Sequence, residues 1–260
     1  MKVKKSLGQH FLRSEKALAT IIRESDLGIK DIVLEIGPGT GILTEKLLET
    51  DARVIAVEKD DELYEFLKNK FGKEIASGQL NLIHDDILKF IENSKLKIEN
   101  YKLIANIPYN ITGVILKKFL EIDFQPEKIV LLVQKEVAER IIAKNKKESI
   151  LSISIKAYGI PSYIETVKAG SFAPAPKVDS AIIAIDNISK DFFKDFTEKE
   201  FFNAVHAGFK SKRKKLSSNL STIFTKDKVR EVFQKLNLDD NLRAEDIKIE
   251  TWKKLTACLY

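Results

Sequence analysis

The 260-residue chain is long enough for one large domain, or for one domain with a small appendage. Its hydrophobic content of 44% is ordinary for a globular protein, and no apolar run approaches the roughly 18 residues of a membrane span. A single cysteine, Cys258, excludes an internal disulfide, and the 3 histidines do not cluster with other metal ligands. We therefore expect a cytoplasmic protein without a metal or a membrane segment.

The net charge of +6 is concentrated in the last part of the chain. Residues 187–260 contain 16 Lys and Arg against 11 Asp and Glu. The densest basic cluster consists of Lys210, Lys212, Arg213, Lys214 and Lys215. Such a cluster is either an ordinary solvated surface or a contact site for a polyanionic partner.

Strand and helix patterns alternate along the first part of the chain. The glycine and polar residues within 1–15 argue against a regular strand there, and Ser14 caps a predicted helix that ends near Ser25. Helical patterns fill most of the later intervals, whereas 149–158 fits either a strand or a helix face. The predicted strands are 31–36, 53–58, 80–84, 102–106, 129–133, 162–167 and 180–185. This order predicts an α/β domain over residues 1–186 with a doubly wound, mostly parallel sheet. Helical periodicity dominates afterwards and predicts a small, basic, all-helical domain over residues 187–260.

A glycine-rich turn follows the first of these strands. Gly37, Gly39 and Gly41 stand between a strand and a helix, where glycines let the backbone turn tightly and approach a ligand. The third glycine comes one residue too early for a dinucleotide fingerprint, and the acidic Glu35 precedes the first. Glu58 ends the next strand about 20 residues further on, where a carboxylate accepts hydrogen bonds from ribose hydroxyls. The combination indicates an adenosyl ligand without phosphates, and S-adenosylmethionine is the natural candidate.

Two further strand ends carry polar groups. The third strand ends in Asp85-Asp86; we assign Asp86 as the acceptor for the adenine amine of the cofactor, although spacing alone does not separate it from Asp85. The fourth ends in Asn106-Ile107-Pro108-Tyr109, at the edge where open α/β sheets bind ligands. The Asn106 amide oxygen and the Ile107 carbonyl can accept two N–H groups of a base, and Tyr109 can stack on its ring. A plain turn before the next helix is the alternative, but beside a methyl donor the tetrapeptide predicts methyl transfer to an exocyclic amine.

Five stretches resemble the KsgA (RsmA) family of ribosomal RNA adenine N6,N6-dimethyltransferases, which is related to the Erm-type methylases. They are Lys5-Ser-Leu-Gly-Gln-His-Phe-Leu12, Leu34-Glu-Ile-Gly-Pro-Gly-Thr-Gly41, Asn106-Ile-Pro-Tyr-Asn-Ile111, Val133-Gln-Lys-Glu-Val137 and Ser171-Phe-Ala-Pro-Ala-Pro-Lys-Val-Asp-Ser180. They follow the family order, and the helical tail is similar to the family's smaller C-terminal domain. The resemblance implies a Rossmann-like class I S-adenosylmethionine-dependent methyltransferase sheet.

The resemblance also implies roles for individual residues. The implied cofactor contacts are His10, Leu12, Gly37, Gly39, Glu58, Asp86 and Asn106. The implied catalytic residues are Asn106, Ile107, Pro108, Tyr109 and Phe172, with Tyr109 and Phe172 clamping a flipped adenine from opposite faces. The expected contacts to RNA phosphates are Lys4, Lys5, Lys210, Lys212, Arg213, Lys214 and Lys215.

The expected reaction is N6,N6-dimethylation of two adjacent adenosines near the 3′ end of 16S rRNA, in the small ribosomal subunit or its precursor. We expect the enzyme to be a monomer. The alternatives are an Erm-type 23S rRNA methylase and a non-catalytic ribosome-assembly or RNA-binding factor. The stretch 171–180 and Gly8-Gln9 resemble the small-subunit enzymes better, and the intact strand-end residues argue against lost catalysis.

Overall fold

The computed structural model describes residues 10–92 and 97–260. The strands are β1 (Phe11–Leu12), β2 (Ile32–Ile36), β3 (Arg53–Glu58), β4 (Leu80–His84), β5 (Tyr101–Asn106), β6 (Lys128–Gln134), β7 (Ile160–Val167), β8 (Phe172–Ala173) and β9 (Ser180–Asp186). The helices are α1 (Glu15–Ser25), α2 (Ile42–Leu48), α3 (Asp61–Lys70), α4 (Gly72–Ser77), α5 (Ile87–Glu92), α6 (Thr112–Glu121), α7 (Lys135–Ile141), α8 (Ile150–Lys156), α9 (Glu198–Gly208), α10 (Leu216–Leu220), α11 (Lys226–Lys235) and α12 (Ile249–Leu259).

One sheet has the strand order β4-β3-β2-β5-β6-β9-β7. The neighbours from β4 to β6 pair in parallel, and β9 runs antiparallel to β6. Because these strands are parallel, the carboxyl ends of β2, β3, β4 and β5 lie at one edge of the sheet. The strand order reverses between β2 and β5, and sheets of this kind bind ligands at such a switch point. The α/β class predicted from the alternation of elements is confirmed.

The apolar runs that predicted the strands form the middle of this sheet. Val33 of β2, Ile104 of β5 and Ile182 of β9 are fully buried, and α1 and α2 contribute Leu18 and Leu47 to the same core. Parallel strands that are covered on both faces bury every side chain, so they appear in the sequence as continuous rather than alternating apolar runs.

Local capping signals fix two of the helices. The Ser14 hydroxyl accepts a hydrogen bond from the Ala17 N–H at 3.2 Å, and α1 ends at Ser25 as predicted. The segment that fitted both a strand and a helix forms α8. Ser149 and Ser152 make a reciprocal capping box at its start, which satisfies two backbone donors that a strand would have to pair elsewhere.

The expectation of no strand in residues 1–15 is wrong for Phe11 and Leu12, and its part at 1–9 lies outside the described residues. These residues form β1, which pairs antiparallel with Ala173 and Phe172 of β8. The Arg13 N–H extends the contact by donating to the Ser171 carbonyl at 2.8 Å. A two-residue strand whose partner lies far away in the sequence carries no periodicity of its own, so local pattern does not predict it.

The chain divides into two compact units. The first comprises the described residues of Met1–Ala138 together with Pro161–Ile188, and the second comprises Glu139–Ile160 and Ser189–Tyr260. The domain boundary predicted from the sequence, after residue 186, lies close to the later of these boundaries. The prediction assigned residues 139–160 to the first domain, whereas in the structure they belong to the second unit. The second unit contains α8 to α12, and Phe201 and Trp252 are fully buried in it.

Two glycines of the turn after β2 differ in what surrounds them. Both have left-handed backbone angles, with φ of +62° at Gly37 and +75° at Gly41. A Cβ at Gly41 would lie 2.5 Å from Phe71 Cε2 and 2.8 Å from Leu67 Cδ2, whereas a Cβ at Gly37 would meet nothing within 4 Å. Gly41 is therefore required for packing as well as for conformation.

We expect Gly41→Ala to lower the free energy of unfolding by about 2–4 kcal/mol, because a left-handed alanine costs roughly 1–2 kcal/mol and the overpacking adds to it. Gly37→Ala is the matched control and should lose only the conformational part. Urea unfolding followed by circular dichroism, without ligand, measures both. Equal losses would contradict the packing role of Gly41.

Candidate active site

A cavity of about 280 Å³ lies at the carboxyl ends of β2, β3 and β5 and beside the residues that follow β4. Its volume is near the lower end for small-molecule sites, roughly 300–1,000 Å³. The predicted site residues that line it are His10, Leu12, Gly37, Gly39, Glu58, Asp86, Asn106, Ile107, Pro108 and Tyr109. The structure thus brings the residues predicted for the cofactor and for the target base together, apart from Phe172.

The Glu58 carboxylate joins two strand-to-helix turns. Its Oε2 accepts a hydrogen bond from the Gly39 N–H at 3.1 Å, and its Oε1 accepts from the Lys59 and Asp60 N–H groups at 2.9 and 2.8 Å. Burial, with only 5% of the residue exposed, raises the pKa of Glu58, while these backbone bonds act in the opposite direction. A carboxylate has about four acceptor positions, so one remains for a ligand hydroxyl.

Glu35 also lines the cavity, although the sequence-based prediction assigns it no role. It is only 1% exposed, and its Oε2 accepts a hydrogen bond from the Thr44 hydroxyl at 2.7 Å. Burial, which outweighs this hydrogen bond, and the nearby Glu58 charge raise the pKa of Glu35 to about 8. The acidic residue before the first glycine was visible in the sequence, but its burial and its proximity to Glu58 depend on the neighbouring strand.

Asp86 is held in its ionised form. Its Oδ1 accepts from the Leu88 N–H at 3.0 Å, and its Oδ2 lies 2.8 Å from the Lys59 ammonium. Partial burial acts to raise the pKa of Asp86, but these bonds outweigh it and hold the pKa below its ordinary value. Asp85 also lines the cavity and accepts the Asp86 N–H at 2.8 Å, so the cavity lining does not distinguish Asp86 from Asp85.

The Asn106 amide has a defined orientation at the end of β5. Its Nδ2 donates to the backbone carbonyl of His10 at 3.2 Å. A carbonyl oxygen can only accept, so the NH₂ group must face it and Oδ1 must point away. In the described part of the chain no group donates to Asn106 Oδ1 or to the Ile107 carbonyl. Pro108 follows with φ of −56°, and Tyr109 starts the 3₁₀ turn Tyr109–Ile111.

The Tyr109 ring is supported on one face by His10. The two rings are nearly parallel, with an interplanar angle of 20° and centroids 5.9 Å apart. His10 Nδ1 lies 2.8 Å from the Pro174 carbonyl and must donate to it, which fixes the imidazole in turn. Burial raises the pKa of Tyr109, while a hydrogen bond with Ser180 acts in the opposite direction, so the hydroxyl stays protonated.

Phe172 does not line this cavity. It lies on β8, paired with Leu12 of β1, and is 4% exposed within the apolar core. The aromatic clamp that the family resemblance assigned to Phe172 therefore stays a prediction.

The basic cluster lies in the second unit, on the loop between α9 and α10. All five of its side chains, Lys210, Lys212, Arg213, Lys214 and Lys215, are exposed. The buried Asn219 amide holds the loop by donating to the carbonyls of Gly208 at 2.6 Å and Ser211 at 3.0 Å. Lys4 and Lys5 are outside the described residues.

Within residues 10–92 and 97–260, no group of three His, Cys, Asp or Glu is placed to hold a metal ion. No helix of this part of the chain has the length and apolarity to cross a membrane.

Comparison with known proteins agrees with the motifs at the site. The family model described as ribosomal RNA adenine dimethylase matches residues 1–259. The chain belongs to the ribosomal RNA adenine dimethylase family. A member from Dehalococcoides mccartyi, named ribosomal RNA small subunit methyltransferase A, is 42% identical over 98% of this chain and 88% of its own length. The family recognised from the five sequence stretches is confirmed, and the protein is a methyltransferase.

Two solved structures share the fold of this dimethylase. A dimethyladenosine transferase from Plasmodium falciparum has a TM-score of 0.79 at 27% identity, over 95% of this chain and 96% of that one. The 23S rRNA methyltransferase ErmE has a TM-score of 0.76 at 23% identity, over 96% of this chain and 99% of that one, which shows the common fold. The predicted class I methyltransferase sheet is confirmed.

We expect Glu35→Gln to remove a pH-dependent loss of stability from this dimethylase. With a folded pKa of about 8 and an ordinary value of 4.5, Glu35 binds more protons in the folded state than in the unfolded state between these pH values. The free energy of unfolding therefore falls as the pH rises through that window, by up to about 1.4 kcal/mol per pH unit. Glutamine keeps an acceptor for Thr44 but never ionises.

Urea unfolding without cofactor at pH 6 and pH 8 measures the effect. From pH 6 to pH 8 the Glu35→Gln variant should gain about 2 kcal/mol relative to the wild type. Glu45→Gln, at an exposed position of α2, is the control and should show no such gain. Parallel pH curves for the wild type and Glu35→Gln would refute the assignment.

Proposed function

We propose that the protein transfers methyl groups from S-adenosylmethionine to N6 of two adjacent adenosines near the 3′ end of 16S rRNA. The observation that carries the proposal is the orientation of Asn106. Its NH₂ group is engaged by the His10 carbonyl, so an open acceptor remains beside the Ile107 carbonyl and the Tyr109 ring. Two acceptors and an aromatic face at one strand end form a receptor for an aminopurine. The names of the curated relatives support the small-subunit substrate.

The residues around the cavity fit S-adenosylmethionine. Glu58 retains an acceptor position for a ribose hydroxyl, and the ionised Asp86 can accept from the adenine amine. At Gly37 no side chain restricts access, because even a Cβ there would meet nothing within 4 Å. The cofactor supplies an electrophilic methyl group, and this chain supplies the positions of the groups around it.

The target amine is activated by hydrogen bonding. An adenine N6 is a weak nucleophile because its lone pair is delocalised into the ring. In the first transfer, Asn106 Oδ1 and the Ile107 carbonyl accept the two N–H groups, and the lone pair is directed away from the ring plane, towards the methyl donor. In the second transfer the monomethylated amine has one N–H left for these acceptors. Positioning and electrostatic stabilisation then provide most of the acceleration. The nitrogen takes the positive charge together with the methyl group, becomes strongly acidic and loses its proton to water, so the mechanism requires no dedicated general base.

Stacking on Tyr109 stabilises the target base in its extruded position. Extruding a base from its stack costs a few kcal/mol. Stacking on an aromatic side chain contributes roughly 1–3 kcal/mol per base and offsets much of that cost. Pro108 fixes the backbone between the Ile107 acceptor and the Tyr109 ring, so both groups keep a constant spacing.

The basic cluster at 210–215 is the proposed contact for RNA phosphates, together with Lys4 and Lys5. Phosphate contacts orient the substrate without specifying its sequence. We place the reaction in the cytoplasm, on the small subunit or its precursor, with the enzyme acting as a monomer.

Labelled methyl transfer to isolated ribosomal subunits from an unmethylated strain, followed by nucleoside analysis, tests the proposal. Dimethyladenosine should appear only with small subunits. Label in large-subunit RNA would assign the protein to the Erm-type reaction. Cofactor binding without transfer to either subunit would favour a non-catalytic assembly factor.

In the same assay, Asn106→Ala should lower kcat by at least about 100-fold, because the variant keeps only the Ile107 carbonyl as an acceptor for the reacting amine. Binding to the small subunit should change little. Asn81→Ala, at an exposed position of β4 in the same unit, is the matched control and should retain activity. If Asn106→Ala keeps wild-type kcat, the amide does not have the role proposed here.

Reversing three charges of the basic cluster, with Lys212→Glu, Arg213→Glu and Lys214→Glu, should weaken small-subunit binding. The salt dependence of binding should also become less steep, by roughly 0.7–0.9 in log–log slope for each RNA phosphate that the variant no longer neutralises. A variant with Lys226→Glu, Lys228→Glu and Lys235→Glu on α11 makes the same change in net charge. Equal effects of the two variants would show that net charge, and not the cluster, governs binding.

A further inference from the structure

Ser180 occupies a rigid position next to the target-base residues. It is the first residue of β9, is fully buried, and pairs in register with Gln134 at the end of β6. The preceding residue is fixed as well: the Asp179 carbonyl accepts the Lys135 N–H at 3.0 Å, and its carboxylate accepts the Ala169 N–H at 3.0 Å. The strand pairing and the two Asp179 hydrogen bonds therefore fix the backbone from which the Ser180 hydroxyl projects.

Tyr109, in contrast, lies in a short turn outside the sheet. Its hydroxyl is 2.5 Å from the Ser180 Oγ, so the outer end of the ring is attached to β9. His10 covers one face of the same ring. Stacking alone leaves a ring free to slide and tilt, whereas a hydrogen bond at its far end restricts both movements. The ring is thus held by two contacts of different kinds.

We propose that Ser180 is a positioning residue that fixes the plane of the Tyr109 ring for the target base. The inference rests on the proposed function, in which Tyr109 stacks on the flipped adenine. His10 lies beside one face of the ring, and the base takes the opposite face. Ser180 does not line the cavity, so it acts only through the Tyr109 hydroxyl.

The consequence is a preorganised stacking surface. A ring that is already parallel to the bound base places N6 against its acceptors without a change in the Tyr109 side-chain torsions. Removal of the tether should therefore reduce kcat, since the reacting geometry is reached less often. The KM for small subunits should change little, because phosphate contacts elsewhere dominate binding of so large a substrate.

Three variants test the proposal in the subunit assay: Ser180→Ala, Tyr109→Phe and the double variant. Each single change removes the same hydrogen bond from one side and should lower kcat about fivefold to tenfold. KM for small subunits and Kd for S-adenosylmethionine should stay within about twofold of wild type. The double variant should be no slower than either single variant, because both act on one bond.

Ser25→Ala is the matched control. Ser25 is also fully buried in the first unit, and its hydroxyl donates to the Ile21 carbonyl at 2.7 Å, on α1. If Ser180→Ala lowers kcat no more than Ser25→Ala, or if the losses of Ser180→Ala and Tyr109→Phe multiply, the positioning role is wrong. Tyr109→Phe leaves Ser180 intact, so it decides the question even if Ser180→Ala folds poorly. Absence of transfer by the wild type would instead overturn the proposed function, and this inference with it.

Discussion

The arrangement of the active site depends on one buried carboxylate. Glu58 accepts a backbone N–H from the turn after β2 and two more from the turn after its own strand, so a single side chain fixes both turns at the same edge of the sheet. A buried carboxylate without partners would be strongly destabilising, and the three N–H groups compensate for much of its lost hydration. Gly39, which provides one of them, has a left-handed φ of +61°. The glycine turn and the carboxylate therefore determine each other's geometry.

The electrostatics of this edge favour a cationic ligand. Glu35 and Glu58 are both buried, and burial raises the pKa of each. A positive charge in the cavity would stabilise their ionised forms and relieve the repulsion between them. S-adenosylmethionine, the proposed cofactor, carries a sulfonium and an ammonium group, whereas a dinucleotide would bring phosphates towards two carboxylates.

The sequence predicted the sheet well because its strands are buried on both faces and end at recognisable residues. The sequence placed the strand ends at Glu58 and Asn106 to the residue, and these ends carry groups of the proposed ligand site. Contacts that join distant segments could not be predicted in this way. The pairing of Phe11 and Leu12 with β8 brings His10 to Asn106, and that contact orients the amide. The role of Ser180 and the burial of Phe172 depend on the same kind of long-range packing, for which no local pattern exists.

The groups of the proposed site are fixed in two different ways. Glu58 and Asn106 are the last residues of sheet strands and take their positions from the backbone ladder. Asp86 and Tyr109 lie just beyond strand ends, and each is attached to another side chain by a hydrogen bond, to Lys59 and to Ser180 respectively. A reaction that relies on positioning requires these outer groups to be as well fixed as the inner ones. Substitutions that remove a tether should therefore slow transfer while leaving every group that contacts the ligands in the chain.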